Sequence, residues 1–440
     1  MTSRSSEPER PERARARKRR RPAPGPDGAG TTAPWTSALQ GPSGHLFGDP
    51  SPSPDETAFQ VDNTSDAYYN SPYYTQHEND IEPIPMGPPA APITLESVVG
   101  DAFLAPIIAG NTISFHAVGD TGAASTSAIA KEASVADAMT RELTGATADA
   151  PAFFFHLGDV IYNFGEGEYY YDQFYEPFRD YDRPIFAIPG NHDGAVTYVN
   201  GGTTPDVPSL QAFIANFCAA TPGKPPDAGG LARTTMTQPG VYFTLDAPFV
   251  SIIGLYTNVL EGPGVISDQN GAYPALNGDG QLPWLVSELK RLAPARQASE
   301  RAVIVACHHP PASADVVHGG STGLATDLDS AFTEAGLWPD AVLSGHAHIY
   351  QRFARAAPQG KTIPYVVAGS GGHAKTVPPG EKHGEAPKTW GEYTLLAGPT
   401  SEYGYLTVTV DMSDASSPTL TIAFTAPSDP AAADQVVVPL

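Results

Sequence analysis

The sequence predicts an α/β fold for the part of the chain that follows residue 95. Short runs of apolar, β-branched and aromatic residues alternate there with Ala- and Leu-rich stretches that carry apolar residues at helical spacing. Most of the strand-like runs end at a turn that contains Gly, Pro, Asp or His. A hydrophobic content of 41% in 440 residues is sufficient for a sizeable core.

The first half of this region predicts three strands, one helix and a hairpin. An Ala-rich helix is expected at 125–143, because apolar residues recur there at helical spacing. The runs at 241–245 and 249–256 flank a short Ala-Pro turn, which is typical of a hairpin. The three strands are expected at 112–118, 152–157 and 185–188.

The second half predicts two helices and five strands. Leucines repeat on one side of a helix at 281–292, and a helix at 324–335 ends at Gly336 with Pro339 just beyond it. The strands are expected at 302–307, 341–343, 363–368, 405–410 and 420–424. These elements continue the alternation of the first half.

Two segments between these elements differ in composition from their surroundings. Residues 162–181 are rich in Tyr, Asp and Glu. We interpret this stretch as an amphipathic helix packed on the sheet edge, in preference to an aromatic wall for a substrate leaving group. Residues 194–240 are an irregular insertion rich in Gly and Pro, and such a loop can cover a site and set its specificity.

The first 95 residues are predicted to be a disordered tail. Residues 1–21 carry a net charge of +6, and a Pro-, Gly- and Ser-rich stretch with four tyrosines follows. This composition favours a solvated tail over a segment that binds nucleic acid or anionic lipid. The tyrosines fit either an ordered strap on the folded part or a linker. We place the boundary near residue 95 and expect residues 96–440 to form one folded domain.

Composition and charge exclude several classes of protein. No apolar run approaches the ~18 residues of a membrane span. Two cysteines are too few for a disulfide scaffold or a Cys-rich zinc module. The residues after position 21 carry a net charge of −29, which disfavours a nucleic-acid partner and favours divalent cations. No apolar segment follows the basic N-terminus, so we expect a cytoplasmic protein, unless the start codon is misplaced and the protein is exported.

Polar residues of the metal-ligand type stand where the predicted strands end. In open α/β sheets the ligand crevice lies at the carboxyl ends of the strands, so we expect these residues to converge. Together with Tyr162 they make seven groups, which suit two ions that share a carboxylate better than one structural zinc. Oxygen and nitrogen donors without thiolate favour Fe, Zn or Mn. The six strand-end residues are Asp120, Asp159, Asn191, His308, His346 and His348.

The motifs around these residues resemble those of the calcineurin-like metallophosphoesterases and, more narrowly, of the purple acid phosphatases. The resemblance covers about residues 112–425, and Tyr350-Gln351-Arg352 after the last motif strengthens it. It implies a four-layer αββα sandwich of two mixed β-sheets flanked by helices, with a dimetal site at one edge of the stacked sheets. The five motifs, in the family's order, are Gly119-Asp120-x-Gly122, Gly158-Asp159-x-x-Tyr162, Gly190-Asn191-His192-Asp193, His308-x-Pro310 and Gly345-His346-x-His348.

The resemblance also implies a ligand set. The first ion would be held by Asp120, Asp159, Tyr162 and His348, and the second by Asp159, Asn191, His308 and His346. Position 122 is Gly, where most members of the family have a ligating His, and Tyr162 stands where purple acid phosphatases place a tyrosinate. Since a phenolate favours Fe(III), we expect Fe(III) paired with Fe(II), Zn(II) or Mn(II).

The resemblance implies hydrolysis of a small phosphoester, by in-line attack of a hydroxide that the two ions activate. His192, oriented by Asp193, is the first candidate for the proton donor, with a structural hydrogen bond as the alternative. His318 follows His308 by ten residues. By resemblance, purple acid phosphatases have at about this sequence spacing a His that contacts the phosphate. Asn191 is also expected to face the substrate. For His309, contact with the substrate and support of a metal ligand are equally favoured.

The remaining histidines receive structural interpretations. His116 and His156 lie inside apolar strands and are expected to be hydrogen-bonded core residues. His373 follows the Gly-rich turn at 369–372. We favour a structural role for it over a role in supporting a metal ligand.

The leading function is therefore that of an acid-phosphatase-like hydrolase of phosphate monoesters. A second hypothesis keeps the dimetal site but assigns a phosphodiester, a cyclic nucleotide or a nucleoside polyphosphate as substrate. A third is a catalytically silent interaction module, which the complete set of ligand positions disfavours. A nuclease is a minor fourth, disfavoured by the charge of −29. The sequence leaves the substrate, the second metal, the pH optimum and the oligomeric state open.

Overall fold

The computed structural model describes residues 84–440 except for eight internal segments. The basic N-terminal run and the four tyrosines of the predicted tail lie outside the described residues. The chain between the gaps forms two mixed β-sheets flanked by helices, which confirms the predicted α/β fold. The segments left out are 124–125, 144–149, 163–164, 195–208, 258–263, 267–279, 316–317 and 374–385.

The strands are numbered in chain order. Those up to β8 are β1 (Ile93–Thr94), β2 (Thr112–Val118), β3 (Phe154–His156), β4 (Ile185–Ala187), β5 (Phe243–Ala247), β6 (Val250–Gly254), β7 (Ala302–Cys307) and β8 (Ala341–Ser344). Those from β9 on are β9 (Tyr350–Ala356), β10 (Thr362–Ala368), β11 (Lys388–Trp390), β12 (Tyr393–Thr400), β13 (Tyr405–Asp411), β14 (Thr419–Thr425) and β15 (Asp434–Pro439).

The helices are numbered in the same way. They are α1 (Leu95–Val99), α2 (Asp101–Gly110), α3 (Thr126–Glu142), α4 (Asn191–Gly194), α5 (Gln211–Phe217), α6 (Gln281–Gln297) and α7 (Thr322–Ala335). In the described part of the chain, none of them has the length and apolar character that a bilayer-spanning segment requires.

The smaller sheet has six strands in the order β15-β14-β13-β2-β3-β4. Its strands β2, β3 and β4 are parallel neighbours, and β13 joins them by antiparallel pairing with β2. The side chains of β2 and β13 alternate, so that Phe115 and Val408 face the other sheet while Ser114 and Thr409 face away. The three parallel strands carry their carboxyl ends to one edge of the sheet.

The larger sheet has nine strands in the order β1-β5-β6-β7-β8-β10-β9-β12-β11. Strands β6, β7, β8 and β10 are parallel, and the predicted hairpin is present as the antiparallel pair β5–β6. Every residue of β7 is buried, as expected of a central strand covered on both faces. Strand β1 pairs with β5, which places two residues that precede the predicted boundary within this sheet.

The two sheets pack face to face, and helices cover both outer faces. Phe115 and Phe153 stack between the sheets with ring centroids 4.7 Å apart, within one apolar cluster that draws on both sheets. Helix α3 covers the outside of the smaller sheet, where Met139 is fully buried. Helices α6 and α7 cover the outside of the larger sheet through residues such as Leu289 and Phe332. The order of layers is helix, sheet, sheet, helix.

Residues 162–181 fold differently from the prediction. The segment forms a 3-10 turn at Gly167–Tyr169 and a π-helical turn at Tyr171–Tyr175 in place of an amphipathic α-helix. The helix prediction is wrong because polar residues of this segment, such as Gln173, are buried together with the aromatic ones. The packing prediction is confirmed, since Phe174 lies in the cluster that covers the smaller sheet.

Candidate metal centre

Five strand ends bring polar side chains to the edge where the two sheets meet. Asp120 follows β2, Asp159 follows β3 and Asn191 follows β4, all in the smaller sheet. His308 and His346 follow β7 and β8 in the larger sheet. Parallel strands end on the same side of a sheet, so residues up to 226 positions apart in the chain come into contact, as in the hydrogen bond from the His346 N–H to Asp120 Oδ2.

The first group of donor atoms surrounds the hydroxyl of Tyr162. Its Oη lies 2.9 Å from Asp159 Oδ2, 3.1 Å from Asp120 Oδ1 and 3.2 Å from His348 Nε2. His348 Nε2 is in turn 3.5 Å from Asp120 Oδ1. These are the four side chains that the resemblance implies for the first ion.

The second group surrounds the amide oxygen of Asn191. Asn191 Oδ1 lies 3.1 Å from both His308 Nε2 and His346 Nδ1. His308 Nε2 is 3.3 Å from Asp159 Oδ2, the same oxygen that approaches Tyr162 in the first group. The carboxylate of Asp159 therefore belongs to both groups.

These distances fit two metal ions. Donor atoms held 2.0–2.2 Å from one ion are about 2.8–3.6 Å from each other, from octahedral to tetrahedral angles, a range that includes the 2.9–3.5 Å observed here. Asp159, His308 and His346 each offer a ligand atom within 4.8 Å of the other two. The donors are carboxylate, phenol, amide and imidazole groups without thiolate, a set that suits Fe, Zn or Mn.

Three of the predicted ligands have unusual backbone conformations. Asp120, Asp159 and His346 have φ angles of 58°, 54° and 66°, in the left-handed region that non-glycine residues seldom adopt. Such backbone strain is concentrated at functional sites, where the surrounding structure enforces it. Here each strained residue turns the chain sharply at the end of a strand and directs its side chain into the centre.

The buried charges of the centre influence each other's pKa. Burial raises the pKa of Asp120 well above its usual value, and burial with the neighbouring carboxylates raises that of Tyr162. Burial disfavours a charged His308, but the carboxylates of Asp159 and Asp120 outweigh it and raise the His308 pKa to about 9. The protein alone therefore holds protons at this centre, and metal binding is expected to release them.

Backbone contacts orient several of these side chains. His308 Nδ1 lies 2.9 Å from the Leu157 carbonyl, so it donates there and leaves Nε2 directed at the donor groups. Asp159 Oδ1 accepts from the His192 N–H at 2.9 Å, while its Oδ2 faces the centre. Gln173 was missed by the sequence analysis: its side-chain amide pairs with both the N–H and the carbonyl of Tyr162 at 2.7 Å.

The structure gives Asp193 contacts that differ from the predicted ones. Its carboxylate accepts backbone N–H groups of Val160 at 3.1 Å, Ile161 at 3.3 Å and Gly190 at 2.8 Å. These bonds tie the turn after β3 to the turn after β4, and they favour a structural role over the predicted orientation of His192. The His192 ring itself lies on that of Tyr162, with centroids 4.4 Å apart.

His318 reaches the centre from the loop after β7. Its ring centroid lies 4.8 Å from that of His346 and 5.1 Å from that of His348. Its Nδ1 is 3.0 Å from Asp315 Oδ2, which also accepts the His318 N–H at 3.1 Å. Gln351 of β9 holds the same loop by accepting from the Ala314 N–H at 2.8 Å. The sequence analysis assigned no role to Asp315, and it used Gln351 only as part of the Tyr350-Gln351-Arg352 extension that strengthens the resemblance.

Two buried nitrogen atoms in the centre have no hydrogen-bond partner among the described residues. They are Asn191 Nδ2 and His309 Nε2. The other ring nitrogen of His309 is 2.8 Å from Thr257 Oγ1, and the His309 ring centroid lies 4.3 Å from that of His346. An unpaired buried polar group is costly, so these two atoms indicate a place for a polar ligand.

The other predicted histidines have the expected core contacts. His116 Nδ1 lies 2.9 Å from the Tyr181 hydroxyl, and His156 Nε2 lies 2.9 Å from Thr121 Oγ1. His373 was not included in the predicted site. Its ring nevertheless stacks directly on Tyr162.

Comparisons with known proteins give a family match for this chain. The sequence profile of a family described as calcineurin-like phosphoesterase matches residues 113–350, more than half of the chain. No protein with curated function matches the sequence.

Three solved structures are similar to parts of this chain at low identity. GAP50, the anchor in the inner membrane complex of Plasmodium, is 13% identical with a TM-score of 0.47, covering 75% of this chain and 89% of its own. PhoD is 14% identical with a TM-score of 0.40, covering 74% and 68%. A dimetal phosphatase from Danio rerio is 10% identical with a TM-score of 0.42, covering 74% and 98%.

Proposed function

Because the chain belongs to the calcineurin-like phosphoesterase family, we propose that this metal-dependent phosphoesterase hydrolyses phosphate monoesters in the manner of an acid phosphatase. The observation that carries the proposal is the pair of donor groups that share Asp159 Oδ2. Such a pair suits two neighbouring ions that act on one phosphoryl group.

We assign the ligands according to these two groups. Asp120, Tyr162 and His348 would hold the first ion, and Asn191, His308 and His346 the second, with Asp159 between them. When bound, the two ions neutralise charge on the phosphoryl oxygens and lower the pKa of water near the substrate.

The first ion is proposed to be Fe(III), with Fe(II), Zn(II) or Mn(II) as the second. A Cβ atom at Gly122 would lie 2.7 Å from Ile161 Cα and 2.8 Å from the Val160 carbonyl, so this turn has no room for the His that most family members use. The phenol of Tyr162 is the remaining donor on that side, and a phenolate favours Fe(III) over softer ions.

An optical measurement tests this assignment. The iron-loaded protein should absorb visible light by charge transfer from phenolate to iron, and Tyr162→Phe should abolish the band while the fold is retained. A colourless iron-loaded wild-type protein would contradict the assignment of Tyr162 to Fe(III).

The substrate side of the centre carries nitrogen donors. Asn191 Nδ2 and His309 Nε2 are buried and unpaired among the described residues, so a phosphoryl oxygen would satisfy them. His318 is a quarter exposed at its side chain, which suits a group that meets the substrate. Nitrogen donors on this side favour a monoester, because its phosphoryl group has three unesterified oxygens to accept hydrogen bonds and that of a diester has two.

Two residues are proposed to assist departure of the leaving group. His318 has Nδ1 directed at Asp315, which leaves Nε2 for a proton to the leaving oxygen. His192 is the second candidate, since its backbone is fixed on Asp159 and its ring lies beside Tyr162. Either group must reach the oxygen that separates from phosphorus.

Turnover of two related substrates tests the proposed specificity. The metal-loaded protein should hydrolyse nitrophenyl phosphate with a higher kcat/KM than bis-nitrophenyl phosphate, and Asp159→Asn should abolish both activities. A preference for the diester would assign the protein to phosphodiester chemistry on the same centre. Hydrolysis of neither ester by protein with two bound ions would contradict the enzymatic assignment.

A further inference from the structure

The turn after β10 lies along the turn that carries Asp120. The Gly119 N–H donates to the Ala368 carbonyl at 3.0 Å, and the Gly371 N–H donates to the Gly119 carbonyl at 3.1 Å. The His373 N–H then donates to the Asp120 carbonyl at 3.0 Å. Because β10 belongs to the larger sheet and β2 to the smaller one, this ladder joins the two sheets at the metal centre.

The ladder depends on the closest possible approach of the two turns. A Cβ atom at Gly371 would overlap the Gly119 carbonyl, and one at Gly372 would lie 2.5 Å from Glu132 Cα. Gly372 also has a φ of 143°, which side chains disfavour. The close contacts therefore hold the turn in one position relative to the Asp120 turn. That position determines where His373 lies.

The side chain of His373 makes two further contacts. Its Nδ1 lies 2.8 Å from the Gly122 carbonyl and donates to it. Its ring lies on the ring of Tyr162 with centroids 3.4 Å apart and an angle of 12° between the planes. The ring centroids of His373 and His348 are 4.8 Å apart. His192 lies against Tyr162 as well, at 4.4 Å, so two imidazoles hold the phenol.

We propose that His373 is a positioning residue for the first metal ion, because it fixes the phenol of Tyr162 relative to the turn that carries Asp120. The inference rests on the proposed role of Tyr162 as a ligand. It assigns His373 no contact with substrate.

Position 122 explains why such a residue is required. With glycine there, the Asp120 turn supplies no second ligand besides Asp120, and the first ion depends on a phenol supplied by the turn after β3. Those two turns are separate pieces of chain, and ligands must be held within about 0.5 Å and 10–20° of their working geometry. His373 contacts both pieces at once, through Gly122 on one side and Tyr162 on the other.

Zinc titration of the metal-free full-length protein tests this inference. His373→Ala should weaken one of the two zinc sites about 10–100-fold, as removal of a ligand's supporting partner does, and leave the other within about twofold. The weakened site should be the one that Tyr162→Phe also weakens. Asn191→Ala serves as the matched control, because it should weaken the other site.

A second variant keeps the test informative if His373→Ala folds poorly. His373→Phe retains a ring on Tyr162 but loses the donor to Gly122, so it should weaken the same site less than the alanine variant does. In the iron-loaded protein, both His373 variants should shift the charge-transfer band that Tyr162 produces. A role in folding alone would leave the position of that band unchanged.

The possible outcomes separate this inference from the proposed function. If His373→Ala binds zinc at both sites with wild-type affinity while Tyr162→Phe has one weakened site, the inference about His373 is overturned and the proposed function is not. Equal weakening of both sites together with a lower melting temperature would also overturn it, because that result describes general destabilisation. Unchanged zinc binding in Tyr162→Phe would overturn the ligand assignment and, with it, the role of His373.

Discussion

Replacement of Gly190 by alanine is expected to disrupt both metal positions with one methyl group. Gly190 lies between β4 and Asn191, and its backbone packs against Asp159. An added Cβ atom would lie 2.7 Å from Asp159 Cγ and closer still to the Oδ1 and backbone nitrogen of the same residue. Contacts below 3.0 Å essentially never occur at real Cβ atoms, so Asp159 or the turn must move.

The size of the required movement sets the expected effect. Opening these contacts displaces Asp159 by at least several tenths of an ångström, and rotation of its side chain alone does not relieve the clash with its backbone nitrogen. Metal–ligand distances tolerate only about ±0.2 Å. Because Asp159 belongs to both donor groups, we expect each ion to bind at least about 100-fold more weakly, or about 2.7 kcal/mol. Overpacking itself should cost about 1–3 kcal/mol of folding stability.

Zinc titration and thermal unfolding of the metal-free variant measure the two effects separately. Gly230→Ala is the matched control, since a Cβ atom there has no neighbour within 4 Å, and it should bind two ions like the wild-type protein. If Gly190→Ala binds two ions with wild-type affinity, the close contact with Asp159 is wrong and the geometry of the centre must be revised.

Three further substitutions test other parts of the structure. Asp434→Asn should lower stability at pH 7 by about 1.5–3 kcal/mol, because Asp434 of β15 accepts from Arg352 of β9 at 2.6 Å and ties the sheets together. The pKa of Asp434 is below its ordinary value because contacts with Arg352 outweigh burial. This contribution is therefore present above about pH 4 and is lost as the pH falls further. The melting temperatures of the wild-type protein and the variant should converge between pH 7 and pH 3. Asp315→Asn should lower kcat/KM about tenfold on an alkyl phosphate and less on nitrophenyl phosphate, whose leaving group needs no proton; equal losses on both substrates would contradict the role proposed for His318. Phe153→Ala should cost about 3–5 kcal/mol in urea unfolding, because the ring is fully buried between the sheets; a loss below 1 kcal/mol would contradict the packing.

The strand ends were the most predictable part of this chain. Strand β7 was predicted with the observed bounds, because a continuous apolar run stops there at a histidine. Strands β2 and β8 were also located correctly by the glycine that follows each run. Since the polar residues at these ends are ligand types, the same signal predicted both the sheet edge and the residues that meet there.

Other elements left no clear signal in the sequence. Strand β9 begins at Tyr350, two residues after the last motif ends, and its polar residues alternate without an apolar run. Helix α6 continues five residues past its predicted end and includes Pro294, which normally marks a helix boundary. Such elements are determined by long-range pairing, as between β9 and β12, which local sequence does not contain.

Three supporting residues of the centre were mostly missed from the sequence, where only His373 of the three was considered for such a role, and as the less favoured interpretation. Gln173, Asp315 and His373 are ordinary polar residues at positions without motif spacing. Gln173 and Asp315 contact residues 11 and 3 positions away, but nothing in the local sequence marks those contacts, and His373 contacts Gly122, which lies 251 positions from it. A ligand is recognisable by type and position, whereas its supporting residue is recognisable only once the two turns are in contact.

Elemental analysis of the purified, metal-loaded protein tests the central claim most directly. The donor groups that share Asp159 predict two metal ions per chain, and Asp159→Asn should lose both, whereas Asn191→Ala should retain one. A wild-type stoichiometry of one ion or none, under conditions in which the protein is folded, would contradict a dimetal centre.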